Sequence, residues 1–257
     1  MANSRPLILL SNDDGYRAKG INELIKILRD IADLVVVAPD GPRSGASAAI
    51  TSIVPLKYVK VSEEEGVSIY KSNGTPVDCV KLGLSSIVPR RPDLVIGGIN
   101  HGDNSSVNVH YSGTMGVVIE GCLKGIPSIG LSLCDHSEDA NFVSCFPYIV
   151  RVVMEVLEKG LPYGTCLNVN FPLVDTFKGI RICRQTDGVW TKEFEPCPHP
   201  KGGNYFWLTG VYKNNEPEAE DTDHWALDHG YVAITPTQID MTAYELKQEM
   251  EHWNWKV

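Results

Sequence analysis

Leu7 to Leu10 are four apolar residues in a row, followed at once by Ser11, Asn12, Asp13, Asp14 and Gly15. A run so short and so apolar predicts a buried strand, and the residues after it a polar turn. Ile21, Leu24, Ile25, Leu28 and Ile31 then recur at spacings of three and four, one apolar face of a helix. Leu34 to Ala38 reads as a second buried strand, stopped by Pro39. Strand, helix and strand in such close succession make a βαβ unit with a right-handed crossover, and predict a parallel sheet.

The pattern continues in the same style. Asp40 to Ser52 is rich in Gly, Ser and Pro and predicts a loop, running into a short helical turn at Ala46 to Ile50. Pro55 to Val61 and Val67 to Lys71 are β-like runs joined by an acidic connection. Ser72 to Pro76 is turn chemistry leading into a helix marked by Val77, Val80, Leu84 and Ile87. Asp93 to Gly98 predicts a third core strand, which opens into a long polar loop from Ile99 to Gly113. Loops of that length in a compact α/β domain are usually functional. A helix over Thr114 to Leu123, a fourth strand over Ile126 to Leu133 and an amphipathic helix over Phe142 to Leu157 follow.

Beyond Gly160 the character changes. Leu167 to Phe171, Ile180 to Cys183 and Gly230 to Pro236 are strand-like, and Thr242 to Trp253 predicts a terminal helix. Thr186 to Asn215 scatters aromatics among Gly, Pro, Lys and Asn without a helical period, which predicts an extended hairpin. Aromatics on a protruding arm favour packing against another subunit. Glu216 to Asp223 reads as a solvated acidic link.

Composition narrows the class. At 43% hydrophobic residues the chain can build a sizeable core, and a formal net charge of -9 carries no basic footprint for a polynucleotide. No apolar run approaches the roughly 18 residues of a membrane span, and the MANSRP start has no signal core. The seven cysteines are odd in number, widely spaced and without a CxxC pair, so they read as reduced, buried small hydrophobes of a cytoplasmic protein.

Chemistry enters through the strand ends. In an open parallel sheet ligands bind beyond the carboxyl ends of the strands, near the switch in strand order. The first strand delivers Asn12, Asp13 and Asp14, the second the loop with Arg43, Ser44 and Ser47, and the third Asn100, His101, Asp103 and Asn104. Two adjacent carboxylates repel, and a divalent cation neutralises them; an Asx turn and helix cap would also use Asn12, Asp13 and Gly15. Asp13, Asp14, Ser44 and Asn100 form an all-oxygen set, which selects Mg2+ or Mn2+ over zinc. Ser112, Gly113 and Thr114 precede a helix, where they serve as an N-cap, a phosphate site, or both. Asp78 reads as structural, at the start of its own helix. No Walker loop, no GxGxxG after the first strand and no GxSxG elbow is present.

The ordered blocks LLSNDDG with AKG, VVVAPDGPRSGAS, SNGTPVDCVKLGL, PDLVIGGINHGDN and HYSGTMGVVIEG resemble the SurE survival-protein family of nucleotidases, with weaker matches at LNVNFP and GYVAITP. The resemblance implies an α/β fold: a Rossmann-like, mainly parallel sheet with helices on both faces, plus a C-terminal β-hairpin arm and terminal helix. Residues 1–160 would be the catalytic core. Residues 161–257 would complete the sheet and carry the arm and helix that build a homodimer or homotetramer, within one structural domain. The implied activity is hydrolysis of nucleoside 5'- and 3'-monophosphates by water activated at one divalent cation per subunit, Mg2+ or Mn2+. By position Asp13 and Asp14 are the catalytic metal carboxylates, with Ser44 and Asn100 completing the metal set. Asn12, Asn104, Ser112, Gly113 and Thr114 fall where the family lines its phosphate pocket. The family's SGIN reads GGIN here, and DTDHWALDHGYVAITP fits too loosely to carry over a catalytic histidine. A non-catalytic nucleotide-binding or assembly protein, and a metal-dependent hydrolase acting mainly on polyphosphate, are the competing readings. No polynucleotide and no membrane partner is expected.

Overall fold

The computed structural model describes residues 5–255, so Met1 to Ser4 of the MANSRP start lie outside the described residues. In chain order, β1 (Leu7–Ser11), α1 (Lys19–Leu28) and β2 (Asp33–Pro39) form the opening βαβ unit. The hairpin β3 (Tyr58–Glu64) and β4 (Val67–Ser72) precedes α2 (Pro76–Leu82), which widens into a π-helical turn at Gly83–Ile87. Then come β5 (Leu94–His101), a 3-10 turn at Ser106–His110, α3 (Gly113–Leu123), β6 (Ser128–Leu133) and α4 (Phe146–Lys159). The remainder holds β7 (Thr165–Phe171), β8 (Ile180–Ile182), β9 (Gly188–Thr191), β10 (Phe194–Cys197), β11 (Tyr205–Leu208) and β12 (Val211–Asn214). It closes with α5 (Asp223–Asp228), β13 (Val232–Gln238) and α6 (Tyr244–Met250).

Nine strands form one sheet in the order β3-β4-β2-β1-β5-β6-β7-β13-β8. From β4 to β7 neighbours run parallel, while β3 and β13 run antiparallel to their inner neighbours β4 and β7, and β8 follows β13. Ile8 and Leu10 of β1 pack with Ile21, Leu24 and Leu28 of α1 and Ile149, Val152 and Val153 of α4. Leu7 and Leu9 face the other way, against Cys79 and Val80 of α2 and Val117 of α3. The period of two along a strand thus clothes both faces with helices, and explains why these strands read as continuous apolar runs. The α/β class and the mainly parallel sheet expected from the sequence are what the chain forms.

Some local expectations differ. Ala46 to Ile50 makes a single turn, with the Ala49 amide on the Ala46 carbonyl at 3.0 Å, and no helix. The strand after Pro92 runs on to His101, three residues into the expected loop, and that loop contains the 3-10 turn. β3 begins at Tyr58 and absorbs Glu63 and Glu64, leaving Glu65 and Gly66 as the turn. α4 starts at Phe146, because Val143–Cys145 is a separate 3-10 turn. Asp78 is structural as expected: it closes a capping box with Thr75 at the start of α2. The Glu216–Asp223 stretch is a largely exposed loop as expected, except that its last two residues turn inward. Arg184 binds Glu216 and Asp221 at 2.6 and 2.8 Å, and the Asp223 carboxylate is buried.

The arm is a long hairpin built in two stages. β9 pairs antiparallel with β12, and beyond it β10 pairs antiparallel with β11. Among the described residues all seven cysteines are free, five of them buried, and no helix is long and apolar enough to cross a membrane.

One contact sets the position of α1 against β5. Gly20 lies in the first turn of α1, and a Cβ there would run into the carbonyl oxygen of Ile99. The propensity gain of Ala over Gly in a helix is about 1 kcal/mol, but a backbone oxygen cannot move aside as a side chain can. Gly20→Ala is therefore expected to lower stability by about 2 kcal/mol. A urea unfolding curve checks this; a midpoint at or above that of the parent refutes it.

Candidate active site

Strand order reverses direction at β1, which has β2 on one side and β5 on the other. The crevice above that point receives the turn after β1 and the end of β5 together, as expected for ligand sites in open α/β sheets. Between Gly97 and Asn100 the register of β5 against β6 shifts by one residue, a bulge that breaks the strand's alternation beside the crevice.

Asn12 builds the turn. Its amide donates to the Gly15 carbonyl at 3.0 Å, and its Oδ1 accepts from the Gly15 amide at 3.2 Å, both buried. Asp13, which follows, is 4% exposed and sits at the N-terminus of α3. Thr114 Oγ1 donates to Asp13 Oδ1 at 2.6 Å. The backbone of Gly113 closes on the same carboxylate, since a Cβ on that glycine would lie 2.6 Å from Asp13 Cβ. Ser112 caps the helix by accepting the Met115 amide at 3.0 Å. Burial pushes the Asp13 carboxyl up to about 6 from its ordinary 3.8; the Asp14 charge adds to this, and the Thr114 and Gly113 donors oppose it.

Asp14 is half-buried and accepts the His101 amide at 3.4 Å, a long contact. Burial raises its carboxyl too, against the pull of His101. His101 itself places Nδ1 on the Ser137 carbonyl at 3.0 Å and lies edge-on to Phe142. Asn100 donates from Nδ2 to the Gly102 carbonyl at 2.8 Å, so its oxygen is the atom left to face outward chemistry. Ser44 is exposed on the loop after β2. It follows Arg43, whose amide donates to the Asp13 carbonyl at 2.7 Å, so this loop crosses the turn after β1. The Arg43 guanidinium pairs with Asp40 at 3.1 Å.

Asn104 is tied from three sides. Its amide nitrogen donates to Asn170 Oδ1 at 2.8 Å, its Nδ2 to Ser132 Oγ at 2.7 Å, and its carbonyl accepts from Asn168 Nδ2 at 2.7 Å. It is 5% exposed, anchored to β6 and β7.

Among the described residues no three His, Cys, Asp or Glu side chains converge. A cation here would therefore rely on Asp13 and Asp14 together with the neutral oxygens of Ser44 and Asn100. The donor chemistry fits a hard divalent ion. Two adjacent carboxylates are held above their usual range by desolvation, an arrangement that a cation relieves and a proton otherwise must.

Sequence reasoning missed the burial of another carboxylate, that of Asp223. Asp223 accepts from the Ser106 amide at 2.9 Å, from the Thr186 amide at 3.0 Å and from Thr186 Oγ1 at 2.6 Å. Ser106 Oγ in turn donates to the Thr186 carbonyl and accepts from Tyr212 OH, at 2.9 and 2.7 Å. Trp190 Nε1 donates to Asn108 Oδ1 at 2.8 Å. The base of the arm is thus bonded to the segment that joins Asn104 to Ser112. The signal was present: Thr222-Asp223 before an apolar helical run is an N-cap pattern, and Thr222 does cap α5.

An open, mainly parallel sheet whose switch point gathers a carboxylate pair, an amide oxygen and a helix N-terminus defines a Rossmann-like α/β protein with an oxygen-donor site. The chain belongs to the family described as survival protein SurE, whose model matches residues 8–192. A protein of Phocaeicola vulgatus called 5'-nucleotidase SurE is 67% identical over 257 residues, covering 100% of both chains. One of the same name in Flavobacterium psychrophilum is 47% identical over 254 residues, 98% of each. The crystal structure of SurE protein from Aquifex aeolicus matches with a TM-score of 0.82 at 36% identity, over 96% of this chain and 99% of that one.

The raised pKa of Asp13 has a definite sign in stability. The folded state holds the proton to about pH 6 while the unfolded chain releases it near 3.8, so stability falls as pH rises between those values. In metal-free protein, Asp13→Asn should therefore raise the urea midpoint at pH 8 and leave it unraised at pH 3.5. Equal midpoints at pH 8 would show that Asp13 is not strained by its burial.

Proposed function

We propose that this chain is a divalent-metal-dependent nucleotidase that hydrolyses nucleoside 5'- and 3'-monophosphates to nucleoside and phosphate. The observation that carries the reading is the Asp13, Asp14 and Asn100 cluster at the switch point, in a chain 67% identical end to end to a protein named 5'-nucleotidase SurE. Asp13, Asp14, Ser44 and Asn100 hold one cation per subunit, Mg2+ or Mn2+. When bound, the cation supplies Lewis acidity toward a phosphoryl oxygen and lowers the pKa of a water.

The chain's own groups do the positioning. Thr114 and Gly113 fix the Asp13 carboxylate, so it enters the reaction already oriented. Asp14 has the more accessible of the two carboxylates and the weaker hydrogen bond, which suits it to orient the attacking water. The positive end of the α3 dipole, at Ser112, Gly113 and Thr114, favours the anionic phosphate and the charge that builds on its equatorial oxygens. Asn12 acts through the turn it closes, and Asn104 through its anchorage to β6 and β7.

The arm exposes Phe194, Tyr205, Phe206, Trp207 and Leu208, an apolar surface that a second copy would cover in a homodimer or homotetramer. Seven free cysteines suit a reducing compartment, the cytoplasm.

Phosphate release from AMP and GMP with Mn2+ is expected, abolished by chelator and reduced roughly 100-fold or more by Asp13→Asn or Asp14→Asn. Because a proton on Asp13 competes with the cation, the Mn2+ concentration needed for half-maximal activity should rise as pH drops below about 6. Chelator-insensitive turnover, nucleotide binding without release, or release from polyphosphate alone would each overturn the reading. Trp207→Asp should shift sedimentation toward monomer; an unchanged profile removes the arm from the interface.

A further inference from the structure

The carbonyl of Asn108 accepts the amides of Tyr111 and Ser112, at 3.0 and 3.1 Å. Those residues stand directly ahead of Gly113 and Thr114, which hold the Asp13 carboxylate. The side chain of Asn108 is taken by the arm, since Trp190 Nε1 donates to its Oδ1 at 2.8 Å. Asn108 is thereby fastened through its backbone to the start of α3 and through its side chain to β9.

Ser106, earlier in the same turn, is held from more sides. Its φ is 50°, in the left-handed region that residues with a side chain avoid. Such a conformation persists only where the surroundings impose it. The Ser106 amide donates to Asp223, its hydroxyl donates to the Thr186 carbonyl, and Tyr212 OH donates to that hydroxyl oxygen at 2.7 Å. The base of the arm is shaped for these contacts. Trp190 and Tyr212 stand opposite each other in the β9–β12 pair, with their rings edge-on at 5.9 Å. A Cβ at buried Gly188 would collide with the Tyr212 hydroxyl, and one at Gly210 would press on the Trp190 ring. The two glycines leave both rings free to reach the turn with their only polar side-chain atoms.

We propose that Trp190 and Tyr212 are positioning residues for the phosphate end of α3. They hold the 106–110 turn in the conformation that aligns Ser112, Gly113 and Thr114 on the phosphate and on Asp13. The proposal rests on the nucleotidase reading and adds to it two residues that lie outside the crevice, on the arm.

The test uses the full chain with Mg2+ and two readouts. One is kcat/KM for AMP; the other is the affinity for inorganic phosphate by calorimetry, which needs no turnover. Trp190→Phe keeps a ring and removes the N–H, and Tyr212→Phe removes only the hydroxyl. Each is expected to weaken phosphate binding and to lower kcat/KM about three- to tenfold, the worth of one such hydrogen bond. Val189→Ala, exposed beside Trp190 on β9, should change neither. Asn108→Ala should match Trp190→Phe, and the double variant should lose no more than the worse single one, because both remove the same bond. A role in folding alone would lower the urea midpoint without that coupling. Phosphate affinity unchanged in both folded single variants, or losses that multiply in the double variant, overturns the proposal. If the parent chain releases no phosphate from AMP, the nucleotidase reading fails. Phosphate calorimetry on parent and Trp190→Phe then decides the positioning role alone: weaker binding in the variant supports it, and no heat from the parent overturns it.

Discussion

The arrangement of the site depends on one close approach, that of the Asp13 carboxylate to the first turn of α3. The turn after β1 and the start of α3 are a hundred residues apart in sequence, and the Thr114 hydroxyl joins them at 2.6 Å. Only a residue without a Cβ can stand at position 113 while this happens. Once Asp13 is seated there, β1 and β5 bring Asp14 and Asn100 to the same crevice, and the Arg43 amide draws the loop after β2 across it. The apolar layers on either side of β1 hold the turn in place, so a carboxylate otherwise disfavoured by burial is kept where a cation would welcome it.

Much of this was readable in the sequence. Leu7 to Leu10 and Leu34 to Ala38 read as buried strands because helices cover both faces and no alternation is needed. The strand ends pointed to Asp13, Asp14 and Asn100 because a parallel sheet gathers its carboxyl ends on one edge. What was not legible depended on partners far away in the chain. Glu216 to Asp223 reads as a solvated loop and largely is one, yet its last residue, Asp223, is buried and taken up by Thr186. Thr114, read as part of a phosphate pocket or a cap, also holds Asp13, a pairing that no spacing rule encodes. The 3-10 turns at Ser106–His110 and Val143–Cys145 were missed because such short segments have no period to detect.

The buried carboxylate of Asp223 ties the arm to the rest of the molecule. Through Ser106 and Thr186, helped by Tyr212 and Trp190, it connects the base of the arm to the segment between Asn104 and Ser112. The arm is therefore not a loose appendage. Its near end shares hydrogen bonds with the loop that leads into α3, while its far end carries the apolar surface. A load placed on the far end has a short bonded route to the entrance of the site.

The two borders of the sheet have a consequence of their own. At one border β3 is exposed along nearly its whole length, studded with Lys60, Glu63 and Glu64 and kinked by a register shift between Lys60 and Ser62. At the other, β8 is three residues long. Neither offers a flat, uncharged template on which a stray strand could lengthen the sheet, so runaway stacking of the kind that makes fibrils is discouraged at both ends. A chain rich in apolar strands in this way guards its sheet edges while leaving an apolar surface at the tip of its hairpin.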